Sequence, residues 1–352
     1  MDTMPATPPP IPRPRILSGM QPTSDSLHIG NYLGALVNWV SMQEQFDAFY
    51  FVADLHSLTV PTEPADIMRR TRITAAQYIA GGVDPLTSAV FCQSHVQEHA
   101  ELAWVLACQT AVGEMNRMTQ FKDKTAKGGN ANVGLFTYPV LMAGDIIMYD
   151  AVYVPVGEDQ RQHLEITRDL AERFNTRFGE TFVVPEPYIL KESGAKIMDL
   201  QDPSAKMSKS SSGDKGVIWM MDDAAVTAKK IRSAVTDTQA EVRYDPETKP
   251  GVSNLLVMHS VLSGTRIEEL ERRFVGQGYG ALKQEVADVT VEAIRPFQTR
   301  MQELLDDPAE LDRMLALGAE RAREVAVATM SRVRAAVGLL PSRVMAEPSA
   351  RR

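Results

Sequence analysis

The chain has 352 residues, of which 44% are hydrophobic and 23% charged, a composition that excludes a fibrous or disordered protein and provides for a substantial core. Its formal net charge of -8 argues against indiscriminate attraction to nucleic acid or anionic membrane while permitting a local basic surface. Cys92 and Cys108 are the only cysteines, too few for a disulfide framework or a four-thiolate metal site, and both read as reduced core thiols.

Met1 to Pro14 is proline-rich without the apolar stretch of a signal peptide, and no segment reaches the apolar length that spans a bilayer. A cytoplasmic location with no membrane partner is expected. Arg15-Ile16-Leu17 reads as a short strand running into Ser18-Gly19, and helical apolar spacing starts at Asn31 with Tyr32, Leu33, Leu36, Val37 and Val40. The pattern then recurs. Ala48 to Ala53 is a nearly continuous apolar run suited to a buried parallel strand, a helix runs from about Ala65 to Gly81-Gly82, and Ala89 to Phe91 is the next strand.

Between Glu98 and Gly144 the pattern becomes helical and glycine-punctuated, with Lys122, Lys124 and Lys127 beside Gly128-Gly129-Asn130. Ala151 to Val156 is another strand-forming run, and after Gly157-Glu158-Asp159-Gln160 the stretch His163 to Phe178 takes up helical periodicity. From Asp222 onward strand signals disappear and helix-compatible segments dominate: Asp222 to Val235, Ile267 to Phe274, Ala281 to Arg300 and Glu310 to Val337.

These alternations predict an α/β fold with a Rossmann-like parallel sheet over residues 15–210, a helical insertion at about 98–144 and a C-terminal helical domain over 211–340. An extension (1–14) and a tail (341–352) flank them. Ligands of such sheets bind beyond the carboxyl ends of the strands, so the loops after Leu17, Phe51 and Val156 are the ones to watch.

Neither Gly-x-x-x-x-Gly-Lys-Ser/Thr nor Gly-x-Gly-x-x-Gly occurs, so a nucleotide would need another cradle. His28-Ile29-Gly30-Asn31 lies at a loop-to-helix junction, where Gly30 lets a nucleotide approach the backbone and His28 reads equally as a phosphate ligand or a capping side chain. Lys206-Met207-Ser208-Lys209-Ser210 sets two cations and two hydroxyls in a Ser/Gly-rich stretch that can close on a polyphosphate and stabilise charge growing in a transition state.

Together these two segments resemble the signatures of class I aminoacyl-tRNA synthetases, of the His-Ile-Gly-His and Lys-Met-Ser-Lys-Ser types. The second is intact; the first departs at Asn31, as in the tryptophanyl enzymes. From about Arg15 to the C-terminal helices the chain is similar to bacterial tryptophanyl-tRNA synthetases. Ser18-Gly19-Met20-Gln21-Pro22, Met118-Thr119-Gln120-Phe121-Lys122, Tyr138-Pro139, Pro155 to Gln160, Ser233 to Asp237 and Lys249-Pro250-Gly251 carry the likeness.

The resemblance implies site residues. The position of Asp145 accepts the indole N–H of tryptophan, in keeping with a carboxylate in apolar surroundings that needs a partner when buried. Leu17, Met142, Val154 and Val156 match positions lining the indole pocket, and each is also an acceptable core residue; Gln21, His56, Tyr138 and Gln160 complete the tryptophan set. For ATP it points to Gln21, Pro22, Thr23, Gly30 and Asn31 on one side and Gly157, Glu158, Asp159 and Ile197 around base and ribose, with Lys206, Met207, Ser208, Lys209 and Ser210 closing the site. Lys206, Lys209, His28 and, ranked below them, Lys124 are the implied catalytic residues, and no residue is nominated as a metal ligand.

The implied chemistry is attack of the tryptophan carboxylate on the α-phosphorus of ATP, with Mg2+ assisting, and transfer to tRNA(Trp) by a homodimer. A tyrosyl-tRNA synthetase and a noncatalytic paralogue that binds tryptophan or RNA are the alternatives. Lys229, Lys230, Arg232, Arg321, Arg323, Arg332 and Arg334 are either phosphate contacts or solvated helix faces.

Overall fold

The computed structural model describes residues 13–118, 132–157, 160–188, 196–208 and 213–340. Among them five parallel strands form one sheet in the order β3-β2-β1-β4-β5: β1 (Arg15–Met20), β2 (Asp47–Val52), β3 (Ala89–Cys92), β4 (Tyr153–Pro155) and β5 (Glu186–Tyr188). The chain builds outward from β1 to β3, then returns to place β4 on the other side of β1. The carboxyl ends of β1 and β4 therefore flank the crevice where such sheets bind ligands.

Strand β1 runs three residues beyond the Arg15-Ile16-Leu17 expected from the sequence. Gly19 and Met20 pair with Phe51 and Val52 in the parallel ladder, and Met20 N donates to the Tyr78 hydroxyl at 2.9 Å. Strand β5 had no sequence signal because Glu-Pro-Tyr lacks apolar alternation, and its Pro187 is tolerated at the edge of the sheet.

The sheet separates two cores, and strand periodicity decides which residue enters which. Ile16, Ala48, Tyr50, Val52 and Val90 lie on one side with Trp39 and Tyr78, where Trp39 stacks on Tyr50 at 4.7 Å. Leu17, Phe49, Phe51, Ala89 and Phe91 lie on the other. This two-sided burial explains why Ala48 to Val52 reads as a continuous apolar run.

Helix α1 opens as an α-turn at Ile29–Asn31, passes through a π-helical stretch at Tyr32–Leu36 and closes as Val37–Met42. Helix α2 (Pro64–Ala80) starts on a proline whose missing N–H has no intrahelical partner anyway. Between β3 and β4 lie α3 (Glu98–Ala107), α4 (Val112–Arg117) and α5 (Val133–Ile147), the last capped by Asn132 accepting from Leu135 N at 2.7 Å. Helix α6 (Arg161–Phe178) ends at Gly179.

The C-terminal part contains α7 (Ala224–Arg232), α8 (Pro250–Ser263), α9 (Ile267–Arg273), α10 (Gly278–Asp306) and α11 (Pro308–Ala336). Residues of α8 and α10, among them Leu255, Leu256, Ile294 and Phe297, share the first core with β1 and β2. Helix α11 packs on the opposite side of the sheet, where Ala319, Ala322, Ala326 and Met330 join the second core. Gly318 permits this approach, because a Cβ there would fall on the backbone carbonyl of Val90.

Two sequence expectations are corrected. Cys92 is buried, but Cys108 is exposed at the end of α3, so it is not a core thiol. The α11 arginines are not a free phosphate-binding face: Arg321 pairs with Asp47, Arg332 with Asp150 and Arg334 with Glu101, while Arg323 donates to the His95 carbonyl, fastening α11 to the sheet layer. Lys230 is likewise buried against Asp222 and Asp214. No described helix is long and apolar enough to cross a membrane.

Candidate active site

A cavity of ≈ 470 Å³ opens at the carboxyl ends of β1 and β2. Gly19, Met20, Gln21 and Thr23 reach it from β1 and its following loop, Phe51, Ala53 and His56 from β2 and the one-turn helix Asp54–Ser57, and Tyr138, Met142 and Asp145 from α5. Asn31 of α1 and Gln160, just before α6, also line it.

Asp145 is 1% exposed and is the centre of a buried hydrogen-bond network. Its Oδ1 accepts from Gln93 Nε2 at 2.8 Å and from His99 Nδ1 at 2.7 Å, and its Oδ2 accepts from His56 Nε2 at 2.8 Å. A carboxylate only accepts, so both imidazole nitrogens facing it carry hydrogens. Burial pushes the Asp145 carboxyl up, but the hydrogen bonds and charge of His56 and His99 outweigh it and bring its pKa down to about 2. A buried, ionised carboxylate at a cavity wall suits a ligand that donates a hydrogen bond.

Behind Asp145, His99 Nε2 meets the Tyr149 hydroxyl at 2.7 Å. Burial, followed by the nearby charges of Asp145 and Glu98, keeps that phenol protonated far above the usual tyrosine range. Tyr138, also on the cavity wall, has its hydroxyl 2.8 Å from His163 Nε2, and burial pushes its pKa up to about 12.

The second half of the site is built around α1. His28 caps this helix, Nδ1 accepting from Asn31 N at 3.3 Å, so the capping role read from the sequence is realised. Backbone bonds tie this entrance to a downstream segment: Ile29 N donates to Ile218 O at 2.9 Å and Met220 N to Leu27 O at 2.8 Å. The ring of His28 lies edge-on to Trp219.

The segment bearing Lys206 folds back on itself. Met207 N donates to Ile197 O at 3.0 Å and Asp199 N to Ala205 O at 2.9 Å. Asp199 Oδ1 caps the intervening turn, accepting from Gln201 N at 2.7 Å and Asp202 N at 3.1 Å. Met207 and Ile197 are buried, which anchors the hairpin, while Lys206 is exposed and Ser208 half-buried. Ile197, the backbone partner of Met207, stands next to Gly30, where a Cβ would lie 3.0 Å from His28 Nδ1 and 3.8 Å from Ile197 Cβ.

The remaining expected residues divide as follows. Gln21, Thr23, Asn31, His56, Tyr138, Met142, Asp145 and Gln160 share the cavity, with Pro22 buried beside Gln21. Leu17 and Val154 lie in the second core and not on the cavity surface. Val156 and Gly157 line a neighbouring depression with Arg161 and Glu186. Lys124, Glu158, Asp159, Lys209 and Ser210 fall outside the described residues.

Sequence reasoning missed Gln93, His99 and Tyr149. Gln93 follows β3 directly, so the strand-end rule applied to β3 would have found it; His99 and Tyr149 stand in no motif, and only the fold brings them to Asp145.

The profile of the family described as class I tRNA synthetases (W and Y) matches residues 12–295. A tryptophan–tRNA ligase 2 of Streptomyces avermitilis is 60% identical over 333 residues, covering 94% of this chain and 98% of the relative. The tryptophan–tRNA ligase of Mycobacterium leprae is 55% identical over 335 residues, covering 94% and 97%. Among solved structures, tryptophanyl-tRNA synthetase of Campylobacter jejuni complexed with ADP and tryptophan is similar with a TM-score of 0.82 at 36% identity, covering 92% of this chain and 100% of that one.

Proposed function

This chain belongs to the class I tRNA synthetases of the tryptophan and tyrosine type, and from that membership we infer an aminoacyl-tRNA ligase that acts on tryptophan with ATP as co-substrate. The Streptomyces and Mycobacterium relatives are tryptophan ligases by name, which favours tryptophan over tyrosine. The observation that carries the reading at the level of residues is Asp145. It is an ionised carboxylate on the wall of a cavity beyond β1, with acceptor capacity for an indole N–H.

We propose that the tryptophan carboxylate attacks the α-phosphorus of ATP, forming a P–O bond as the bond to pyrophosphate breaks, and that a terminal hydroxyl of tRNA(Trp) then attacks the acyl carbon with loss of AMP. The nucleophile of the first step is already ionised, so positioning and charge stabilisation suffice. Lys206 is the proposed cation of the first step, with His28, Lys209 and Lys124 assisting. Gln21, Pro22, Thr23, Gly30, Asn31, Gly157, Glu158, Asp159, Ile197, Met207, Ser208 and Ser210 are the proposed ATP contacts.

Discrimination is assigned to the cavity walls. Phenylalanine would leave the cavity-side acceptor site of Asp145 unfilled, and rejection of an analogue that lacks the hydrogen-bonding group is strong in such sites. His56, Tyr138, Met142, Gln21 and Gln160 are the proposed remaining tryptophan contacts; Leu17, Val154 and Val156 would shape the pocket from behind.

Among the described residues no group of three or more His, Cys, Asp or Glu side chains could hold a metal ion. We propose that the Mg2+ of this chemistry arrives on the phosphates of the nucleotide. We further propose a cytoplasmic homodimer, with residues 211–340 binding tRNA; Lys229 and Arg232, exposed on α7, are the basic residues there that support a phosphate contact. Charging of tRNA(Trp) with labelled tryptophan tests the reading: ATP-dependent ester formation is expected, and its absence with a folded protein would remove the transfer step.

A further inference from the structure

We propose that His99 is a positioning residue for indole recognition, holding the Asp145 carboxylate so that Oδ2 keeps one acceptor site directed to the cavity. The inference rests on the reading of Asp145 as the indole acceptor and adds a residue that does not itself line the cavity. An ionised carboxylate oxygen has two lone pairs. Gln93 and His99 together fill Oδ1, whereas Oδ2 accepts from His56 alone. His56 lines the cavity and Gln93 and His99 do not, so the remaining acceptor site belongs to the oxygen on the cavity side.

His99 is built as a strut. It is 0% exposed, and its two ring nitrogens bridge Asp145 and Tyr149, residues four apart on one segment of chain. Its ring lies 6.1 Å from that of Phe51 and 6.4 Å from that of Phe91, at shallow angles to both, so the ring plane is fixed as well as its ends. The Tyr149 hydroxyl holds Nε2, and Nδ1–H is held by Asp145. Without the strut, Oδ1 retains one donor and the carboxylate gains freedom to rotate about Cβ–Cγ, and a rotated carboxylate turns its vacant site away from the ligand.

The test is ATP–pyrophosphate exchange with tryptophan and with β-(3-benzothienyl)alanine, in which sulfur replaces the indole N–H. Wild type should prefer tryptophan. In His99→Leu the preference should fall roughly 10-fold to 100-fold, the factor attached to losing a hydrogen bond of a charged group, through KM for tryptophan and with kcat for the analogue little changed. His99→Asn, whose amide nitrogen can stand where Nδ1 stood, should restore most of it. A wild-type preference kept in His99→Leu would overturn the proposal. A wild type that does not prefer tryptophan to the analogue would instead refute the Asp145 reading, and the proposal with it. Where His99→Leu fails to fold, Tyr149→Phe carries the test: a preference lowered several-fold supports the strut, and an unchanged preference overturns it.

Discussion

His56 Nε2 and Asp145 Oδ2 lie 2.8 Å apart, joining the turn after β2 to the C-terminal end of the cavity-lining helix α5. The bond links a residue at a strand end, where the fold itself predicts ligand binding, to a carboxylate whose importance no strand-end rule suggests.

Asp145→Ala removes the acceptor and leaves the donors of His56, Gln93 and His99 without a partner. The expected outcome is a loss in kcat/KM for tryptophan on the order of 100-fold, with phenylalanine-type analogues much less affected. Steady-state exchange kinetics on the folded variant check it; unchanged selectivity would exclude the indole role.

Lys206→Ala should separate chemistry from binding. The side chain is exposed on a hairpin anchored by Met207 and Ile197, so its removal should leave the fold intact. The adenylation rate is expected to fall about 100-fold, as for loss of one transition-state contact, while tryptophan affinity in equilibrium dialysis stays near wild type. An unchanged single-turnover rate would take Lys206 out of the mechanism.

Gly318→Ala tests the docking of α11. The added methyl would meet the backbone of Val90, which cannot rotate away, so the helix must shift from the sheet. A destabilisation of about 1–3 kcal/mol is expected, read as a lower denaturant midpoint. A midpoint equal to wild type would show that α11 does not lie this close to β3.

Acid stability should carry the mark of Asp145. Its folded pKa, about 2, lies below the ordinary value of 3.8, so its contribution to stability is complete above the higher value and is lost as pH falls from 3.8 towards 2. Asp145→Asn should lack this component: the difference in Tm between wild type and variant should narrow as pH drops through that window. A constant difference from pH 5 to pH 2.5 would contradict the assignment.

Much of the fold was legible from local pattern. Ala48 to Val52 announced a strand buried on both faces, and Asp145 stood out as an acidic residue among Ile146, Ile147, Met142 and Ala143. What local pattern cannot carry is a partner chosen by the fold. His99 precedes Asp145 by 46 residues and meets it only because α3 and α5 pack together. The same holds for the α11 arginines, whose helical spacing reads as a solvated basic face until the helix is seen lying against Asp47, Asp150 and Glu101. Leu17 and Val154 show the converse limit, since an apolar strand residue looks the same whether it lines a pocket or the core beneath it.

The most direct test of the account is ATP–pyrophosphate exchange by the wild-type chain with tryptophan and tyrosine as competing substrates. Tryptophan should support rapid exchange and tyrosine should remain near background, because an indole N–H is the proposed donor to Asp145 and the Streptomyces and Mycobacterium relatives are tryptophan ligases by name. Faster exchange with tyrosine would contradict the account at its centre.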